Sequence, residues 1–262
     1  MTWQFGPLGV SVADHVAEVV LDNPPVNALN EAAYQGFIDA FRLLETLPGV
    51  RAVVLTARGT RAFVAGTDVH DFASQHPDDP AWAVRHARLV RTAFEAIYTC
   101  PVPVIAAVAA PALGAGIGVV ASCDLIVAAE EAVFGLPEID VGVLGGARHL
   151  ARLVPPQKVR KMMYTGERVP ARRLYEWGTV EAVVPRDAVL ETARDLARTI
   201  AAKSPVAIRL AKRGLNHLEL ADLSLFEGYA YEQTLTEQLA GHPHSREAQQ
   251  AFFEKRPARF ED

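Results

Sequence analysis

The stretch Val53-Val-Leu-Thr-Ala-Arg-Gly-Thr-Arg-Ala-Phe-Val-Ala-Gly-Thr-Asp68 joins a continuous apolar run to a turn of small residues. The run Ala52–Thr56 predicts a strand buried on both faces, as in a parallel sheet. A second buried strand, Pro103–Ala109, precedes another small-residue turn, Gly114-Ala-Gly-Ile-Gly118. Two such turns can direct two backbone N–H groups at one carbonyl oxygen, which is the arrangement of an oxyanion hole. Alternatively, the small residues of the second turn only allow a helix to pack closely on the sheet.

The remaining patterns alternate between strands and helices and end in a run of helices. Further strands are predicted over Val16–Leu21, Asp124–Ala128 and Val180–Val184. Helical spacing predicts helices from the cap Asn30 to Pro48 and over Asp79–Thr99, Gly114–Ser122, Gln157–Tyr164, Asp187–Lys203, Pro205–Asn216 and Leu223–Ala240. This order predicts an α/β fold with a core over residues 1–185 and a helical C-terminal region over residues 186–262.

Composition restricts the class of protein. The chain has 262 residues, 50% of them hydrophobic, and a net charge of −5, which is typical of a globular protein. A mildly acidic chain is a poor ligand for nucleic acid or for an anionic membrane, so we expect neither as a partner. The uncharged stretch 101–122 is long enough for a membrane span, but its prolines and glycines favour a buried strand, a turn and a helix.

The N-terminal region and the cysteines predict the compartment. No basic residue precedes Arg42, so a secretory signal is not expected. The two cysteines, Cys100 and Cys123, form neither a disulfide framework nor a zinc site. We therefore expect a cytoplasmic protein.

Five motifs spread over nearly the whole chain resemble, in their order, those of the crotonase (enoyl-CoA hydratase/isomerase) superfamily. They are Asn23-Pro-Pro-Val-Asn-Ala-Leu-Asn30, the stretch Val53–Asp68, Cys123-Asp-Leu-Ile-Val127, Phe134-Gly-Leu-Pro-Glu-Ile139 and Ala251-Phe-Phe-Glu-Lys-Arg-Pro257. The resemblance implies a spiral of ββα turns with a helical C-terminal trimerisation region, and a homotrimer or hexamer. It also implies an acyl-CoA thioester substrate, with coenzyme A as part of the substrate, no separate cofactor and no metal.

The resemblance also assigns site residues. The backbone N–H groups of Thr67 and Ala115 match the two oxyanion donors, although members usually have glycine at the second position. The pocket for the adenine and pantetheine of CoA matches Ala28, Ala65, Asp68 and Val69, and Asp68 is alternatively a helix N-cap. Lys255, with Phe252, resembles the tail residues that reach the CoA of a neighbouring subunit.

The acid/base residues depart from the family pattern. Hydratases of the family use two glutamates; the second matches Glu138, and the first would stand at Gly118. Because glycine cannot transfer a proton, Glu138 is predicted as the single general acid/base, unless it is only a surface glutamate that caps a turn.

Asp140 is a further candidate. The string Glu138-Ile-Asp-Val-Gly142 resembles dienoyl-CoA isomerases, although their additional aspartate would stand at Gly146. In an extended segment, Glu138 and Asp140 would share one side, and their repulsion would raise the pKa of one of them. A turn residue or a trimer contact is an equally good interpretation of Asp140.

Three histidines are weaker candidates. His149 can titrate near neutrality, but a lone histidine on a helix is more often structural. His242 and His244 on a polar loop lack the third ligand that a metal site needs.

The sequence thus predicts an enzyme that acts on an acyl-CoA through an enolate. Hydratase or isomerase chemistry ranks first, and isomerisation fits a single acid/base best. Acyl-CoA hydrolysis and carbon–carbon bond cleavage come next. Gly118 favours the alternative of a non-catalytic acyl-CoA-binding protein, and the retained Glu138 disfavours it. An NAD-binding oxidoreductase is disfavoured because Val119 replaces a required glycine.

Overall fold

The computed structural model describes residues 1–68 and 80–261. The strands are β1 (Thr2–Phe5), β2 (Leu8–Ala13), β3 (Val16–Leu21), β4 (Ala52–Ala57), β5 (Val104–Val108), β6 (Ala112–Leu113), β7 (Leu125–Ala129), β8 (Val133–Gly135), β9 (Arg168–Pro170) and β10 (Ala182–Val184). The α-helices are α1 (Glu31–Thr46), α2 (Pro80–Tyr98), α3 (Ala115–Ala121), α4 (Ala147–Leu153), α5 (Pro156–Thr165), α6 (Ala171–Glu176), α7 (Val189–Ala201), α8 (Pro205–Leu220), α9 (Leu225–Ala240) and α10 (Pro243–Glu254). Two 3₁₀ helices cover Pro137–Val141 and Arg186–Ala188.

The core is a seven-stranded sheet in the order β1-β2-β3-β4-β5-β7-β10. Strands β1 to β3 are antiparallel, and β3, β4, β5, β7 and β10 pair in parallel. Strands β4 and β5 are almost wholly buried, because helices cover the faces of a parallel sheet. Helix α7 packs on β4, β5 and β7 and buries its alanine stripe there, so this helix is part of the core layer.

A second sheet, β6-β8-β9, lies beyond the ends of the parallel strands. It draws together the segments that follow β4 and β5. Val64 and Ala112 form a parallel bridge, the N–H of Leu113 donates to Val64 O at 2.9 Å, and the N–H of Phe63 donates to Pro111 O at 2.9 Å. The two small-residue turns therefore lie next to each other.

The predicted α/β class is confirmed, and the predicted strands and helices recur with small shifts at their ends. The cap is also confirmed, since Asn30 Oδ1 accepts the N–H of Ala33 at 2.9 Å. The hairpin β1–β2 and the second sheet were not predicted. The polar loop expected at His242 and His244 is wrong, because His242 caps helix α10 and its Nδ1 accepts the N–H of His244 at 3.2 Å.

Two further observations concern the cysteines and the helices. Both Cys100 and Cys123 are free and buried, and burial raises the pKa of Cys100 to about 11, so it is not an activated thiol. Across residues 1–68 and 80–261, no helix combines the length and the apolar character needed to cross a bilayer.

Candidate active site

Two glycines bring the turns and a carboxyl group together. Gly66 and Gly114 both have positive φ, +123° and +57°, a region that glycine adopts without strain. A Cβ on Gly114 would lie 3.2 Å from the Cα of Gly66 and 2.8 Å from Oε1 of Glu138. The two turns can therefore approach each other and Glu138 because Gly114 has no side chain.

The predicted oxyanion donors follow these glycines directly. Among the described residues, neither the N–H of Thr67 nor that of Ala115 has a protein acceptor. The N–H groups of their neighbours Asp68 and Gly114 donate to backbone carbonyls at 2.9 Å, which fixes the two turns. The arrangement leaves two amides for a carbonyl oxygen that gains negative charge.

Glu138, the predicted acid/base residue, lies beside Gly114 of the second turn. It lies in the first 3₁₀ helix, half-buried, and its Oε2 is buried with no hydrogen-bond partner in the described part of the chain. Burial raises the pKa of Glu138, and a hydrogen bond from its own backbone N–H lowers it in part. A carboxyl group with a raised pKa is well suited to take up and return a proton.

Tyr34 is a site residue that sequence reasoning missed. Its hydroxyl lies 2.7 Å from Oγ1 of Thr67, on the turn of the first predicted oxyanion donor (hereafter the first oxyanion turn), and its side chain is fully buried on α1. Burial raises the pKa of Tyr34 to about 12; the bond to Thr67 lowers it, and the charge of Glu138 raises it further. Only a hydroxyl-bearing aromatic on the apolar face of α1 hinted at this role.

An aromatic ring closes the place where the family's first glutamate would stand. A Cβ on Gly118 would lie 2.4 Å from two ring carbons of Phe94. The Phe94 ring meets Tyr34 edge-on at 6.2 Å and His149 edge-on at 5.1 Å between centroids. With the Phe94 ring in this position, a side chain at position 118 would overlap it.

Hydrogen bonds fix the segment 23–30, which contains Ala28 of the predicted CoA pocket. Asn27 is buried in a left-handed conformation, and its Nδ2 donates to Arg58 O at 2.8 Å and to Ala62 O at 3.0 Å. The N–H of Leu29 donates to Gly66 O at 2.8 Å. These bonds hold the segment 23–30 alongside the first oxyanion turn.

The structure brings three of the five predicted CoA residues together. Ala28, Ala65 and Asp68 lie on these two paired segments, and the N–H of Ala65 donates to the first segment at 3.2 Å. Val69 lies outside the described residues. Lys255 is exposed at the end of α10, which packs against α8 and α9 rather than against the turns.

Asp140 does not share a side with Glu138. The segment that contains both is a 3₁₀ helix and not extended, so residues two apart diverge. Oδ2 of Asp140 lies 2.8 Å from the place of a Cβ on Gly166, at the end of α5, and Asp140 is exposed. Burial, rather than repulsion by Asp140, is what raises the pKa of Glu138.

The histidines divide between the site and the surface helices. His149 is half-buried on α4 against Phe94, and burial lowers its pKa. The rings of His242 and His244 lie 4.6 Å apart at the start of α10. Within the described ranges, no group of three or more His, Cys, Asp or Glu side chains could hold a metal ion.

Comparison with known proteins assigns the chain and its fold to a family. The family model for enoyl-CoA hydratase/isomerase matches residues 12–262. A (7aS)-7a-methyl-1,5-dioxo-2,3,5,6,7,7a-hexahydro-1H-indene-carboxyl-CoA hydrolase from Rhodococcus jostii is 42% identical, over 88% of this chain and 90% of its own. A carnitinyl-CoA dehydratase from Salmonella typhimurium is 33% identical, over 92% of this chain and 93% of its own.

Solved structures agree with this assignment. A crystal structure of an enoyl-CoA hydratase from Bacillus anthracis superimposes with a TM-score of 0.89 at 32% identity, over 97% of this chain and 98% of that one. The chain therefore belongs to the enoyl-CoA hydratase/isomerase family of the crotonase superfamily. It is an enzyme of this family, whose members in these comparisons include a hydrolase, a dehydratase and a hydratase.

Proposed function

We propose that this enzyme hydrolyses a carbon–carbon bond in a 3-oxoacyl-CoA thioester whose acyl group is cyclic. The observation that carries the proposal is the Phe94 ring against Gly118, which leaves Glu138, among the described residues, as the carboxyl group with a buried and unpartnered oxygen beside the two turns. Simple hydration in the family manner would need a second carboxylate at position 118.

One carboxylate is enough for the proposed hydrolysis. Glu138 takes a proton from water, and the hydroxide adds to the 3-oxo carbon. The bond between this carbon and the α-carbon then breaks, and its electron pair forms the thioester enolate held by the N–H groups of Thr67 and Ala115. Glu138 returns its proton to the α-carbon. One water is consumed, a carboxylic acid forms, and the thioester stays intact.

The relatives support a hydrolytic reaction and a cyclic acyl group. The R. jostii relative is named as a hydrolase of a CoA thioester whose acyl part is a fused ring with two oxo groups. At 42% identity it is more similar to this chain than the dehydratase at 33%.

Isomerisation of an enoyl-CoA double bond is the second candidate. It also proceeds through a thioester enolate and also needs a single acid/base, which the buried and unpartnered Oε2 of Glu138 can supply.

Product analysis separates the candidates. The purified enzyme is incubated separately with 2-oxocyclohexane-1-carboxyl-CoA, a 3-enoyl-CoA and crotonyl-CoA, and the products are identified by mass spectrometry together with a thiol assay. We expect the cyclic substrate to gain the mass of one water without release of free CoA. Release of CoA, or turnover of only the two enoyl-CoA probes, would contradict the proposal. Calorimetry should also show tighter binding of the thioester than of the corresponding free acid.

A further inference from the structure

The contact between α2 and α3 is unusually close at one point. Gly118 lies in the middle of α3, and two ring carbons of Phe94 lie 2.4 Å from the place of its absent Cβ, with a third at 3.0 Å. Real Cβ contacts do not occur at this distance, because repulsion rises steeply below van der Waals separation. A side chain at position 118 and the present position of the Phe94 ring therefore exclude each other.

The ring is held from its other sides as well. Phe94 is 8% exposed, with Tyr34 and His149 both against it in edge-to-face geometry. Because Tyr34 bonds the hydroxyl of Thr67, the ring lies one side chain away from the first oxyanion turn. A longer side chain at position 118 would have to displace the Phe94 ring from its contacts with Tyr34 and His149.

We propose that Phe94 is the specificity-determining residue that fixes the type of reaction at this site. Its ring occupies the space that an acidic side chain at position 118 would need, and it lines that side of the site. A second acid that could deliver water across a double bond is thereby excluded, and a substrate that needs one acid/base is selected. This inference rests on the proposed one-carboxylate chemistry and names the residue that enforces it.

The test restores the second acid with and without the ring. Gly118→Glu, Phe94→Ala and the double variant are assayed for hydration of crotonyl-CoA, with Phe94→Ala/Gly118→Gln as the matched control. We expect the double variant alone to gain activity, by at least about tenfold over both single variants and the control, because a newly introduced acid should reach part of the roughly hundredfold low end of general acid–base catalysis. An equal gain in Gly118→Glu alone, or no gain in a soluble double variant that binds CoA, would overturn the proposal.

If the double variant is insoluble, two more conservative substitutions test whether the Phe94 ring excludes a side chain at position 118. Gly118→Ala should lower the melting temperature in the wild-type background, where its Cβ meets the ring, and much less in the Phe94→Leu background. Unchanged stability of Gly118→Ala with Phe94 present would refute the inference. The wild-type products test the proposed function separately, since rapid hydration of crotonyl-CoA by the wild type would contradict that function before any variant is made.

Discussion

At the scale of single residues, the chemistry depends on one proton carried by Glu138. Replacing this carboxyl group by an amide keeps its shape and removes its basicity, so Glu138→Gln should lower kcat about a hundredfold or more. Binding of the CoA thioester should be nearly unchanged, because the lost interaction belongs to the transition state. Steady-state kinetics and calorimetry measure the two effects.

Asp140→Asn is the matched control for this prediction. Asp140 belongs to the same 3₁₀ helix but faces Gly166, so its substitution should have little effect on kcat. Full activity of Glu138→Gln would mean that another group carries the proton, and a large effect at Asp140 would restore its predicted catalytic role.

The same carboxyl group should lower the stability of the folded protein at neutral pH. Burial raises the pKa of Glu138 above its ordinary value of 4.5, so the folded protein holds this proton more tightly than the unfolded chain does. The contribution of Glu138 to the free energy of unfolding therefore decreases as the pH rises from 4.5 through the raised pKa. Glu138→Gln should melt at a higher temperature than the wild type at neutral pH.

The pH dependence is the diagnostic part of this prediction. Below pH 4.5 the wild-type carboxyl group is protonated, so the difference in melting temperature should shrink. Melting curves between acidic and neutral pH, recorded at one protein concentration, measure it. A difference that is constant with pH would show that the substitution acts through packing and not through charge.

Tyr34 supports the first oxyanion turn through the bond between its hydroxyl and Oγ1 of Thr67. Tyr34→Phe keeps the ring that Phe94 contacts and removes this single bond, which is worth about 1 kcal/mol. If the bond positions the Thr67 amide for the transition state, kcat should fall by roughly fivefold with little change in KM. A rise in KM with constant kcat would instead assign Tyr34 to substrate binding.

At the scale of elements, an ion pair between a buried lysine and a partly exposed aspartate connects α8 to the parallel sheet. Lys212, 4% exposed, donates from Nζ to Asp124 Oδ2 at 2.7 Å and to Val102 O at 3.0 Å. The same Oδ2 accepts the N–H of Val104 at 2.7 Å, at the start of β5. Helix α8, β5 and the segment before β7 therefore meet at one carboxylate.

The two partners of this pair should differ in their effect on stability. Asp124→Asn leaves the buried charge of Lys212 uncompensated, at a cost on the order of 3 kcal/mol. Lys212→Met leaves the partly exposed Asp124 near water and with its bond to Val104, so the loss should be smaller. Urea unfolding of both variants checks the order, and a larger loss in Lys212→Met would contradict it.

Local sequence patterns predicted the strands and helices well. They did not predict the contacts between elements that are distant in the sequence. The strand at Ala52–Thr56 and the helix cap at Asn30 could be predicted because apolar runs and capping residues are visible in a few adjacent residues. The 3₁₀ helix that turns Asp140 away from Glu138 is too short to show a period. The Phe94 ring against Gly118 depends on how two helices separated in sequence pack, which no spacing along the chain encodes.

At the scale of the whole molecule, the C-terminal helices leave large apolar side chains in solvent. Phe226 on α9 is 81% exposed, and Phe252 and Phe253 on α10 are 78% and 80% exposed. Further exposed apolar residues on or beside α8 and α9 are Leu215, Leu220, Leu223, Leu225 and Tyr229. Apolar patches on this scale mark protein–protein contacts.

We therefore expect a homotrimer or hexamer in solution. Light scattering at micromolar concentration should give three or six times the chain mass of 28.4 kDa. Phe226→Glu should shift the mass towards the monomer, because a charge at an apolar contact is desolvated without compensation. A monomeric wild type would contradict the expectation, and a monomeric Phe226→Glu with wild-type helicity by circular dichroism would locate the interface.

In the expected assembly, the exposed Lys255 would contact CoA bound to a neighbouring subunit. Helix α10 packs against α8 and α9 of its own chain, away from the two turns, so a role in CoA binding requires the site of a neighbouring subunit. Lys255→Ala should raise KM for CoA thioesters and leave kcat unchanged, since a cation on a CoA phosphate contributes equally to ground and transition states. The effect should weaken as salt is added. It should also be absent in the Phe226→Glu variant if that variant is monomeric, because the lysine then has no neighbouring site to reach. An unchanged KM in an assembled Lys255→Ala would show that the tail does not take part in CoA binding.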